Sequence, residues 1–367
     1  MFPVITTSGV NHRPLRYRRA GFDVLVVAAF TVAAAGVFDV GRAEATIFID
    51  TVTVGNPGNS GELSGAGAGG FNVDRICGAV GYTYDIGQYE VTARQYTAFL
   101  NATAATDAYG LYNTDMASDL GCKIQRSGTA GDYTYTVDPE WADRPVNYVS
   151  WGDAARFANW LHNDQPIGAQ DLTTTEDGAY FLDGAISREA LLAVSRKADW
   201  KWAIPTEDEW YKAAFHKNDG VTANYFDYPT SSDTAPSNDL VEPTDPGNNA
   251  TFRQDGDTIG LPYYRTEVGA HENSVSPYGT FDQGGNVREW NEEIIGGLAV
   301  RRGLRAGSIY SDSDALHAAN RGYGYPDEGG SPVGFRVVKA VPEPSTLLMW
   351  YVGVFAWLLI ARRRVSE

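Results

Sequence analysis

The stretch "GTFDQGGNVREWNEE", residues 279–293, sets two carboxylates, Asp282 and Glu289, on either side of Gly284, Gly285 and Asn286. Glycines let a backbone turn tightly enough to present carbonyl oxygens beside carboxylates. Hard oxygen donors in that mixture suit Ca²⁺. The D-x-[DN]-x-[DN]-G spacing of an EF-hand is absent, and by chemistry alone an ordinary acidic turn is the plainer reading. What the stretch does therefore depends on the frame around it.

Upstream, three segments carry the chemistry of helix starts. Thr92 precedes Gln95 by three residues, a capping box, with Tyr96, Phe99 and Leu100 following on one face. Ser150 and Asp153 repeat the device ahead of Ala154, Phe157, Ala158 and Leu161, and Thr206 and Glu209 repeat it ahead of Trp210, Ala213 and Ala214. Residues 54–71 are Gly-rich and read as a loop. Elsewhere short alternating runs and turns prevail, with no strand–helix–strand rhythm. The pattern predicts a single compact α+β domain with little regular secondary structure.

The two ends differ from this middle. Arg13, Arg16, Arg18 and Arg19 precede an apolar run, Val24–Phe38, and Ala43-x-Ala45 then offers a small-residue cleavage pattern. Those features read as a signal peptide over 1–45. At the other end "VPEP" precedes an uncharged run, Ser345–Ala361, which is followed by Arg362, Arg363 and Arg364. Seventeen residues reach the lower limit for a membrane span. The arginines place the main domain on the non-cytoplasmic side. This tail resembles the PEP-CTERM sorting signal of exported bacterial proteins. The resemblance implies transient membrane anchoring and an exosortase-type protease as partner.

Twenty-one basic and 41 acidic residues fall in 46–341, a net charge of −20. Nucleic acid is excluded as a partner, because phosphate binding needs a positive surface. Cys77 and Cys122 are the two cysteines. In an oxidising compartment a disulfide between them is the expectation, with a reactive thiol pair as the alternative. The histidines are widely spaced, and there is no P-loop, HExxH or CxxC motif.

Six segments, in order, resemble the formylglycine-generating enzyme family, also called sulfatase-modifying factors. They are "IGQYEVTARQYTAFLNA" (86–102), "RPVNYVSWGDAARFANWL" (144–161), "WAIPTEDEWYKAAF" (202–215), "GGNVREW" (284–290), "LRAGS" (304–308) and "GFRV" (334–337). The resemblance implies a C-type-lectin-like fold over 80–340, preceded by a Gly-rich segment (46–79) and followed by the sorting tail (341–367). The fold would thus be flanked by two apolar helical targeting segments. The resemblance also implies bound Ca²⁺, through the side chains of Asp282 and Glu289 and the carbonyls of Gly285 and Val287. A second site would use Asn249, the carbonyl of Ala250, and Asp255 or Asp257. Arg288 stands where the family has an aromatic residue.

In that family two cysteines after the RGGS strand hold Cu(I), which soft thiolates select. Counted from Gly307 and Ser308, those positions fall on Ser311 and Leu316. Neither is a thiolate, so copper chemistry is not expected. No helical iron-binding domain of the related sulfoxide synthases is present in the sequence. Ser308, Ser311, Asp314 and His317 could be drawn as a hydrolase, but no nucleophile elbow marks one. The expectation is a Ca²⁺-stabilised binding or structural module at the cell envelope or in extracellular polysaccharide. Trp141, Trp151, Trp200 and Trp202 are candidate contact aromatics, or else core. The alternative is a formylglycine-type oxidase or tailoring oxygenase with a non-standard site.

Overall fold

The chain divides into two units, residues 1–43 and 44–367. The structure is a computed structural model that describes residues 46–240, 247–296 and 300–342, all in the second unit. The expected signal peptide, and the expected sorting tail beyond Pro342, lie outside the described residues. Among the described residues no helix is long and apolar enough to cross a membrane.

Four short strands come first: β1 (Thr51–Val54), β2 (Glu62–Ser64), β3 (Arg75–Cys77) and β4 (Tyr84–Gly87). Helix α1 (Ala93–Thr103), the hairpin of β5 (Ile124–Ser127) with β6 (Thr134–Val137), and α2 (Trp151–His162) follow. Next come α3 (Arg188–Ala193), β7 (Trp202–Ala203) and α4 (Glu207–Phe215). The last strands are β8 (Arg288–Ile295), β9 (Arg301–Arg305), β10 (Gly322–Gly324), β11 (Val333–Gly334) and β12 (Val338–Ala340). One sheet has the order β1-β4-β12-β7 and another β10-β9-β8-β11. The Gly-rich segment is less of a loop than its composition suggests, because Glu62–Ser64 pairs antiparallel with Arg75–Cys77.

All three capping boxes form. The side chains of Thr92, Ser150 and Thr206 accept from the N–H groups of Gln95, Asp153 and Glu209, whose own side chains reach back to the cap N–H. Each box satisfies two donors that a helix start leaves without partners. The apolar faces of α1 and α2 then meet the closing "GFRV" segment. Rings of Tyr96, Phe99, Phe157, Trp160 and Phe335 pack with centroids 5.3–6.4 Å apart, mostly edge-on or tilted.

This core absorbs side chains that the sequence left open. Trp141 and Trp151 are buried, and Trp200 and Trp202 are half-buried against the core, so none is an exposed platform. Cys77 and Cys122 are free thiols, buried in different apolar clusters, and the expected disulfide is not formed. Burial raises the pKa of both thiols, which opposes the reactive-pair alternative as well.

Buried arginines are matched to carboxylates across long sequence separations. Arg156 holds Glu176 at 2.7 and 2.9 Å. Arg196 holds Glu209 and Glu292. Arg305 and Arg321 both hold Glu207, at 2.7 and 2.6 Å.

Candidate functional site

Three loops are knitted together beside the β8–β9 sheet. Asn286 N–H donates to the Thr251 carbonyl and Gly285 N–H to that of Ala306, each at 2.7 Å. Ile309 N–H returns to the carbonyl of Asn286, and Arg253 N–H to that of Ser311. The chain reverses after β9 through two residues in the left-handed region, Ala306 (φ 91°) and Gly307 (φ 70°). Glycine tolerates that conformation and alanine resists it. Ala306→Gly is therefore expected to stabilise the full chain by about 1 kcal/mol, read as a shift in the urea midpoint.

Arg305, at the end of β9, fixes where this loop begins. Its guanidinium contacts Glu207, the Ser64 hydroxyl, Cys77 Sγ at 3.4 Å and the carbonyls of Ala318 and Asn320. Burial raises the Glu207 pKa, but Arg305 and Arg321 overcome that and hold it down at about 2.

Beyond the reversal stand the positions aligned with copper ligands. Ser311 is buried and its Oγ accepts from Ser308 N–H at 3.0 Å, with Ser308 Oγ 3.4 Å away. Leu316 is 1% exposed and packs in an apolar cluster with Tyr228, Ala250 and Phe252. It lies so close under the reversal that a Cβ on Gly307 would come within 2.7 Å of it. A serine pair and a packed leucine offer no thiolate, so the donor set does not fit Cu(I). His317 packs edge-on against Tyr228 and lies 3.8 Å from Asp227.

The same loop borders a cleft of about 480 Å³. Its walls include Phe71, Asn72, Arg288, Asp312, Asp314, Asn320 and Tyr323, with Gly307 at the reversal. Phe71 is 58% exposed. Arg301 stacks on Tyr323, 4.5 Å from the ring centre. Sequence reasoning missed Phe71 and Asn72, because they come from the Gly-rich segment, far from the loop in sequence, and it passed over Tyr323 of β10, a few residues beyond the loop.

The expected calcium residues lie on the turn that leads into β8, next in sequence to Arg288 of this cleft. Asp282 (φ 58°), Gly285 (φ 90°) and Asn286 (φ 54°) form the tight turn that the glycines predicted. Glu289, however, is fully engaged. Arg336 binds both its oxygens, at 2.6 and 2.7 Å, and Trp210 Nε1 donates to one of them. Asp282 accepts from Gly269 N–H at 2.6 Å, and burial pushes its pKa up to about 6.

Beside them is a residue the sequence reading passed over. Glu90 is 2% exposed, and neither of its carboxylate oxygens has a hydrogen-bond partner. Burial, then the charges of Asp282 and Glu289, raise its pKa well above the usual range. Three carboxylates thus face one guanidinium, an excess of negative charge that a cation or protons must offset. In charge the cluster is compatible with a cation, and Asp282 and Glu90 have oxygens that Arg336 does not hold. Among the described residues no three His, Cys, Asp or Glu side chains converge as a metal cage, so carbonyls would have to complete it. At the second expected site Asn249 and Ala250 are buried, while Asp255 and Asp257 stand exposed on a neighbouring loop. The Ala250 carbonyl already accepts from the Thr258 hydroxyl at 3.3 Å.

Comparison with known proteins bears on the frame rather than on the cleft. Among solved structures, CarF is 20% identical with a TM-score of 0.43, the match covering 80% of this chain and 99% of CarF. Variable protein 1 of Treponema denticola is 17% identical with a TM-score of 0.49, over 81% and 96%. PvdO from Pseudomonas aeruginosa is 18% identical with a TM-score of 0.44, over 79% and 94%. No curated protein matches the sequence significantly. The model of the sulfatase-modifying factor enzyme 1-like domain matches residues 79–341, and the chain belongs to that family.

Proposed function

We propose that this chain is an exported, non-catalytic glycan-binding module with a recognition cleft beside the loop that holds the family's oxidase positions. The observation that carries this reading is the cleft of about 480 Å³ beside residues 307–315, whose bordering loop has a packed leucine where a copper thiolate would stand. Its volume suits a small ligand or one or two sugar units. Asn72, Asn320, Asp312 and Asp314 suit sugar hydroxyls, and Phe71 offers an aromatic face for ring C–H groups.

The arginine-flanked N-terminus with Ala43-x-Ala45 and the "VPEP" tail support export and sorting at the envelope. Extracellular polysaccharide is then the partner at hand. In this reading calcium, held by Asp282 and Glu90, neutralises buried charge and stabilises the turn that leads into β8 without entering any reaction.

Phe71→Ala tests the assignment of the cleft with little risk to the fold, because the side chain is mostly exposed. The full chain is expected to bind extracellular polysaccharide in a co-sedimentation assay, and Phe71→Ala is expected to weaken that binding at least tenfold with an unchanged melting temperature. Unaltered binding by Phe71→Ala would move the site elsewhere, and absence of binding in the parent chain would contradict the reading itself.

A further inference from the structure

Among the described residues, the buried or half-buried arginines have partners with one exception. Arg156, Arg196, Arg305, Arg321 and Arg336 hold carboxylates. Arg265 and Arg302 donate to backbone carbonyls. Arg288 lies in the wall of the cleft beside residues 307–315, and among the described residues its guanidinium has no ion pair and no hydrogen bond. Burial depresses its pKa, and no neighbouring carboxylate acts against that. Asp312 and Asp314 share the cleft, but neither lies within ion-pairing distance of Arg288, and Asp312 accepts from Ala315 N–H. The Arg288 nitrogens are not sealed from solvent, so the donors open into the cleft, where a partly desolvated cation favours an anionic partner.

The shape of the missing partner follows from the other walls. Guanidinium is planar and binds a carboxylate through two parallel hydrogen bonds. Asn72, Asn320, Asp312 and Asp314 are groups that exchange hydrogen bonds with hydroxyls, and Phe71 and Tyr323 supply flat apolar faces. A sugar ring bearing one carboxylate satisfies all three kinds of wall at once. The net charge of −20 on residues 46–341 disfavours a long polyanion, so a short oligosaccharide is the ligand admitted. At physiological salt that field is screened over about 8 Å, so a carboxylate that reaches Arg288 meets the guanidinium more strongly than the distant acids.

We propose that Arg288 reads the carboxylate of a uronic acid, making the cleft selective for uronate-bearing glycans over neutral ones. The inference rests on the glycan-binding reading above and adds the ligand class. Arg288 occupies the position where the family has an aromatic residue, so the selectivity is this chain's own departure from the frame.

The test is calorimetric titration of the full chain at 0.15 M salt, as an order-of-magnitude physiological ionic strength, with oligogalacturonate, its methyl ester, a neutral galacto-oligosaccharide and a sulfated one. Oligogalacturonate is expected to bind at least tenfold more tightly than the other three. Arg288→Met is expected to bring oligogalacturonate down to the affinity of the ester and to leave the ester unchanged. Arg288→Lys, which keeps the charge and loses the paired geometry, is expected to fall between.

Removing an unpaired guanidinium is not expected to lower the melting temperature, so a misfolded variant does not confuse the result. Equal affinity for acid and ester, an equal affinity for the sulfated sugar, or an unaffected Arg288→Met would overturn the carboxylate assignment while leaving a glycan-binding module in place. Failure of all four sugars to bind would overturn both.

Discussion

Replacing Glu207 with alanine is expected to destabilise the full chain by about 3–5 kcal/mol, the usual cost of removing one partner from a buried ion pair. Glu207 accepts from two buried guanidinium groups at once, those of Arg305 and Arg321. Its loss leaves both cations in a dry interior, while the Arg305 contacts to carbonyls and to Ser64 remain but carry no countercharge. Acid should reproduce the effect. The folded-state pKa of Glu207, held at about 2, lies below its ordinary value of 4.5. The group therefore contributes stability that is complete above about pH 4.5 and is lost as pH falls towards 2, amounting to about 3 kcal/mol. Urea midpoints measured from pH 5 to pH 2 should show this acid loss in the parent chain and a shallower one in Glu207→Ala. Identical slopes in the two would mean that Glu207 is not the hub described.

The second large effect concerns the carboxylates around the turn that leads into β8. Asp282 is raised to about 6 and Glu90 well above the usual carboxylate range. A raised pKa works in the opposite sense. Without a cation, Asp282 favours the folded state most below about pH 4, and that contribution is lost as pH rises through 6, by about 3 kcal/mol. Calcium should reverse the trend, since it needs both carboxylates deprotonated. At a hundred times its dissociation constant it is expected to add about 2.7 kcal/mol at pH 7 and much less at pH 5. Asp282→Asn should abolish the calcium response and also remove the loss of stability between pH 4 and pH 7. A calcium gain that survives in Asp282→Asn would exclude this cluster as the ion's site.

The features legible in the sequence were local ones. A capping box is written within four residues, and so Thr92, Ser150 and Thr206 were assigned correctly to helix starts. The turn at 282–286 was legible for the same reason, because glycine and asparagine at positive φ leave a compositional trace. Glu90 was not legible. In "YEVT" it looks like an ordinary strand residue, and only the fold reveals that its carboxylate faces Asp282 and Glu289 without a donor. The partner of Glu289 lies 47 residues away and the partners of Glu207 lie 98 and 114 away. No periodicity encodes such pairings. The tryptophans stayed open for a related reason, since an aromatic side chain suits a core and a contact surface equally well, and the fold resolves them as core. The cleft was half legible: Arg288 and the 307–315 loop were singled out, while the wall supplied by Phe71 and Asn72 comes from a distant segment.

We propose that this chain keeps the family's frame without its oxidase chemistry. Anaerobic titration of the full chain with Cu(I), followed by oxygen and a CxPxR peptide, tests it most directly. With Ser311 hydrogen-bonded to Ser308 and Leu316 packed against Phe252, no stoichiometric Cu(I) uptake and no peptide aldehyde are expected. One equivalent of tightly held Cu(I) per chain, together with conversion of the peptide cysteine to the aldehyde, would show that the oxidase chemistry is retained.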